Sequence, residues 1–135
     1  MPNLLGVALI LFLIAHALVG VLMFAGSPQQ PTPSWPSSKS WLFNSIGVSE
    51  SGQRMFAIAL MAIAALMLIG GALGILGIPL IVDMWHWLIV AGAIVSAFTL
   101  VLYFSPWWLG GIAINMGLIV AIMVLKWPTS ESLGI

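Results

Sequence analysis

His16 and Asn115 are the residues of this chain best placed to do chemistry inside an apolar core. His16 lies near the middle of an apolar run from Leu4 to Phe24, and Asn115 near the middle of another from Pro106 to Trp127. If the two runs are antiparallel helices, both side chains reach the same depth. Ser96 and Thr99, in a third run from Met84 to Phe104, then fall within about a turn of that level. A neutral imidazole keeps one ring nitrogen free to ligate the metal of a tetrapyrrole or to hydrogen-bond a quinone carbonyl. The same groups can instead bond to one another and hold helices together, or pass a proton. All three uses are compatible with His16, Asn115, Ser96 and Thr99 as a polar patch. Bis-histidine ligation within one chain is not, because the second histidine, His86, opens the third run and lies near its end. His86 reads as an interfacial residue close to Asp83.

The elements that must position this patch follow from charge. Lys, Arg, Asp and Glu make up 4% of the 135 residues, and hydrophobic residues 62%. All six charged side chains, Lys39, Glu50, Arg54, Asp83, Lys126 and Glu131, lie outside the apolar interiors. Four apolar blocks result, about 4–24, 54–78, 84–104 and 106–127, each long enough for the roughly 30 Å hydrocarbon core at 1.5 Å per residue. The expected fold is an all-α integral membrane four-helix bundle in a single domain. No Lys or Arg precedes Leu4 and the first run exceeds a signal-peptide h-region, so it is expected to stay as a transmembrane helix.

The connection from 25 to 53 turns to Ser, Pro, Gln and Gly, and Pro28, Pro31, Pro33 and Pro36 forbid a continuous helix through its first half. In its second half Leu42, Phe43 and Ile46 share a helical side, which fits a short interfacial helix or a lid packed on the bundle. Ser49 and Glu50 read as a helix start, with Glu50 and Arg54 as an i, i+4 ion pair. Pro79 closes block two. Asp83 is expected to cap block three, and Ser105 with Pro106 to open block four. Pro128 stops that block before a short polar tail.

Small residues at spacing four allow helix backbones to approach. Gly70 and Gly74 in block two, Gly92 in block three, and Ala113 and Gly117 in block four are the expected packing positions. Trp41, Trp85, Trp87, Trp107, Trp108 and Trp127 are expected to anchor the two membrane interfaces, with Trp35 and Tyr103 beside them. An even number of crossings puts both termini on one side. The basic residues divide almost evenly between the two sides, and we place the termini in the cytoplasm.

Without cysteine the chain offers no disulfide, thiolate metal site or iron–sulfur ligand, and no metal site is expected. The absence of a basic tract argues against nucleic acid as a partner. A transporter of charged solutes would place an ionisable group at the midplane, where this chain has only His16. The leading expectation is a non-catalytic accessory or structural subunit, contacting lipid and other membrane subunits or a second copy. A binder of a lipophilic ligand or redox cofactor is the alternative, and a small-solute transporter a distant third.

The loop segment Ser40-Trp41-Leu42-Phe43, followed by Gly47-Val48-Ser49-Glu50-Ser51, together with the four-block layout, resembles small uncharacterised bacterial membrane proteins and, more distantly, the DoxX-like group. That resemblance implies a prokaryotic cytoplasmic membrane and a role in quinone-linked redox chemistry. It carries over no catalytic residue.

Overall fold

The computed structural model describes residues 1–26 and 39–135, and four of its helical segments are long and apolar enough to cross a membrane. Pro28, Pro31, Pro33, Trp35 and Pro36 lie outside the described residues. Helix α1 is Leu4–Ala25, begun by Asn3, whose side chain accepts from the Gly6 N–H. Ser49 caps α3, Glu50–Ile75, by accepting from the Gly52 N–H, so the Ser-Glu start is observed four residues ahead of the expected boundary. The Glu50 carboxylate pairs with Lys39 at 2.6 Å instead of with Arg54. Arg54 reaches back to the Ala25 carbonyl at 2.8 Å and so ties α3 to the end of α1.

The second block ends earlier than Pro79 suggested. Helix α3 stops at Ile75, and Gly77 follows with φ +89°, a left-handed turn that side chains disfavour. Asp83 does not cap the next helix. It lies inside a 3-10 turn, Val82–Met84, and α4, Trp85–Leu102, starts without a side-chain cap. The turn's own backbone bonds, Val82 N–H to Ile78 and Met84 N–H to Ile81, satisfy donors there. Pro106 opens a second 3-10 turn as expected, but the acceptor from Ser105 is its carbonyl, not its hydroxyl. Helix α5, Leu109–Ile119, then widens into a π turn over Val120–Val124. The block ends there, short of Trp127, and Lys126 takes φ +53°.

Helices α3 and α4 form the centre, with α1 packed on α3 and α5 on α4. Their seam is made of missing side chains. A Cβ on Gly74 would lie 2.7 Å from Trp85 Cβ, one on Gly71 2.5 Å from Ile89 Cγ1, and one on Gly92 2.9 Å from Leu68 Cγ. Gly70 is looser, 3.4 Å from Leu88. The expected stripe on block four is a correction: Ala113 and Gly117 are exposed, and a Cβ on Gly117 meets nothing within 4 Å. The pattern was right for close approach, but that side of α5 points away from the bundle.

Burial also divides the tryptophans. Trp41, Trp87, Trp107 and Trp127 are exposed. Trp85 and Trp108 are core residues, because Gly74 leaves room for the first and the Phe24 ring stacks on the second at 5.0 Å. Tyr103, expected beside the interface, is fully buried.

Both ends of the bundle are closed. At the loop end, α2, Trp41–Ser45, is a packed lid rather than a free surface helix: Ser40 Oγ donates to the Leu102 carbonyl at 2.8 Å and Trp41 Nε1 to that of Val101 at 2.9 Å. At the other end the expected polar tail folds into α6, Ser130–Leu133. Asn3 donates through its backbone N–H to Leu133 and through Nδ2 to Ser132, both at 2.9 Å, and the Leu133 side chain is fully buried.

Candidate functional site

A buried amide joins three helices. Asn115, from the middle of α5, is wholly buried, and its Oδ1 lies 2.9 Å from His16 Nε2 on α1. Its Nδ2 donates to Ser96 Oγ on α4 at 2.8 Å. With the amide nitrogen committed to Ser96, Oδ1 is the acceptor, so the His16 proton belongs on Nε2. In the neutral ring that leaves Nδ1 as the lone-pair nitrogen. The imidazole lies flat on Phe12, one turn earlier in α1, with centroids 5.8 Å apart and planes 3° apart. A polar side chain in an apolar bundle is unfavourable unless its groups are bonded, and here each polar side chain answers another.

Thr99 does not belong to this set. It is fully buried, but Oγ1 donates to the Val95 carbonyl of its own helix at 2.8 Å. Ser96 and Thr99 are three residues apart, and the depth argument placed both near Asn115. Only Ser96 bonds to it.

The backbones of α1 and α5 stay apart, and beside the polar set this leaves a cavity of about 200 Å³. Its walls include His16, Gly20, Phe24, Ser96, Gly111 and Trp108. Asn115 and Thr99 do not line it. Trp108 contributes a feature absent from the sequence reading: its Nε1–H is buried and has no hydrogen-bond partner. It is the one such side-chain atom among the described residues.

Sequence reading also missed a polar lock beneath the lid. Gln53 is buried at the start of α3, where Oε1 accepts from the Ser40 N–H at 2.9 Å and Nε2 donates to the Val48 carbonyl at 2.8 Å. Tyr103 donates to the Gln53 carbonyl at 2.5 Å. Burial pushes the Tyr103 phenol up to about 12, offset in part by the Ala57 backbone. A lone glutamine entering an apolar block was the available signal.

His86 faces a second cleft, about 290 Å³, with Trp87, Lys126, Thr129 and Ser130 on its walls. Its ring neighbours are the indoles of Trp85 and Trp87, at 5.6 and 5.4 Å, and no ion pair joins it to Asp83 among the described residues. The described residues contain no group of three or more His, Cys, Asp or Glu side chains placed to hold a metal ion. No protein-family model, curated protein or solved structure matches this chain.

Proposed function

We propose that this is a small integral membrane protein acting as a non-catalytic accessory or structural subunit of a prokaryotic cytoplasmic membrane. The observation that carries the reading is the closed chain from His16 through Asn115 to Ser96. Three of the polar side chains at mid-depth, His16, Asn115 and Ser96, join α1, α5 and α4, as expected of interhelical bonding in a bilayer. Apolar side chains such as Leu11, Leu18 and Leu22 on α1, Met116 on α5 and Val120 on the π turn after it face outward, where lipid or other helices would cover them. The termini are assigned to the cytoplasm and α2 to the opposite face.

The test uses the chain's lack of cysteine. Single cysteines at Gly47 and Ser132 should label with an impermeant maleimide from opposite sides of intact membranes, and labelling from one side would refute the four-crossing topology. A photo-crosslinker at Gly117 addresses the subunit role. A discrete adduct with a second copy or another membrane protein, identified by mass spectrometry, supports it. Adducts with lipid alone count against it.

A further inference from the structure

We propose that the cleft between the start of α4 and the segment joining the π turn to α6 holds the phosphate of an anionic phospholipid. The proposal rests on the four membrane crossings and not on the subunit role. Three kinds of group share its walls: a cation, Lys126; hydrogen-bonding side chains, His86 and Ser130; and apolar ones, Ile122, Met123 and Trp87. Its depth follows from the helices. Helix α4 starts at Trp85 and the last crossing ends at Val124, so the cleft lies where one side of the apolar slab stops and lipid phosphates begin.

The cation is uncommitted. Lys39 pairs with Glu50 and Arg54 donates to the Ala25 carbonyl, whereas the Lys126 ammonium has no ion-pair or hydrogen-bond partner among the described residues. Its side chain is exposed, and its φ of +53° lies in the left-handed region that glycine enters freely and other residues rarely do. What lysine adds at such a position is charge. His86 is half-buried, and its ring nitrogens have no partner among the described residues, yet neither is enclosed: Trp108 Nε1 is the one partnerless side-chain atom there that is shut off from its surroundings. In either protonation state the His86 ring has an N–H to donate. Ser130 is exposed, and its hydroxyl bonds to no described residue. The acids nearest in sequence, Asp83 and Glu131, are not on the walls, so the described lining sets no carboxylate against an anion.

Size and surroundings favour a lipid over a free ion. A cavity of roughly 150 Å³ holds benzene, so one of about 290 Å³ has room for a headgroup but not for two acyl chains. Apolar surface for the chains lies alongside, because Trp87 and Met123 on the walls and Val124 and Leu125 after them are exposed. A Lys at the headgroup level above such a surface is the arrangement that attracts anionic lipid. Inorganic phosphate shares the headgroup's chemistry but makes no use of that surface.

The experiment places the full chain in nanodiscs of phosphatidylcholine and phosphatidylglycerol with matched chains and reads the retained lipid by native mass spectrometry. Phosphatidylglycerol should be retained over phosphatidylcholine by about fivefold, the factor for one lysine near an anionic surface. Lys126→Asn should abolish the preference, since asparagine accepts the left-handed backbone without bringing a charge. Lys126→Arg should keep it, as should Lys39→Gln at the opposite end. Ser130→Glu, which adds a carboxylate at an exposed wall position, should also abolish it while Ser130→Gln does not, and this pair decides the matter if Lys126→Asn does not fold. Equal retention of the two lipids, a preference unchanged by Ser130→Glu or by a folded Lys126→Asn, or an equal loss in Lys39→Gln would each overturn the proposal. Displacement of phosphatidylglycerol by inorganic phosphate alone would overturn the lipid as occupant, and retention in its presence supports it. Loss of the preference while the cysteine labels still report opposite sides would sink this proposal and leave the crossings standing.

Discussion

The Tyr103 hydroxyl donates to the Gln53 carbonyl at 2.5 Å, so the residue just past α4 is bonded to the opening turns of α3. The Gln53 side chain meanwhile holds Ser40 and Val48. One short stretch of α3 therefore fixes both the lid and the end of the neighbouring helix. Such a lock makes the segment from Ser40 to Val48 part of the bundle.

Tyr103 is the only tyrosine in the chain, so its ionisation can be followed directly. Absorbance at 295 nm should rise with a midpoint of about 12 in the folded protein, against the ordinary value of 10.0. The sign for stability follows: below pH 10 the folded and unfolded states both hold the proton and the contribution is complete. Between pH 10 and 12 the unfolded state loses its proton first, so stability falls as pH rises. Tyr103→Phe should remove that component and lower stability by about 1 kcal/mol at neutral pH, through loss of the hydrogen bond. A midpoint near 10 in the folded state would contradict the burial argument.

Asn115→Leu should destabilise the bundle by roughly 1–2 kcal/mol, since interhelical polar bonds in membranes contribute about 0.6 kcal/mol on average and this residue makes two. A double-mutant cycle with Ser96→Ala, read by steric trapping in bicelles, should show coupling of about 0.5 kcal/mol or more. The cycle of Asn115 with Thr99→Val should be additive, because the Thr99 hydroxyl bonds within its own helix.

Gly74→Ala and Gly117→Ala should have opposite outcomes. The new methyl at 74 meets Trp85 Cβ at 2.7 Å and the Ile81 carbonyl at 2.8 Å, atoms with little room to yield, and should cost about 1–3 kcal/mol. At 117 it meets nothing, so helix propensity decides and a gain of up to about 1 kcal/mol is expected. Thermal melts of the two variants in one detergent provide the comparison.

Leu133→Ala should lower stability by about 2–5 kcal/mol, the range for truncating a fully buried leucine. Glu131→Ala, exposed on the same short helix, should change little. Equal effects would mean that α6 does not pack as described.

The helical blocks were legible because their signals are local: apolar length, and Ser or Pro at the edges. Depth arithmetic was enough to bring His16 and Asn115 together, since antiparallel helices of similar length align their centres. It could not choose Ser96 over Thr99, which differ by less than a turn and are resolved only by where each hydroxyl finds an acceptor. Nor could it sort the tryptophans. An indole suits an interface or a core equally well, and Trp85 is buried because Gly74, eleven positions earlier, has no side chain to oppose it. The Gly and Ala spacing on α5 permits close packing without supplying a partner. The π turn at Val120–Val124 carries no glycine or proline to announce it.

The bond between Asn3 and Leu133 bears on the order of assembly during translation. The carbonyl that receives the Asn3 N–H belongs to a residue made 130 positions later. Until that residue is made, this end of α1 lacks its partner. A product terminated at Pro128 would contain all four long helices and still lack the residues that bond to Asn3. The Asn3 to Leu133 contact thus serves as a latch that closes only after synthesis has passed the last long helix.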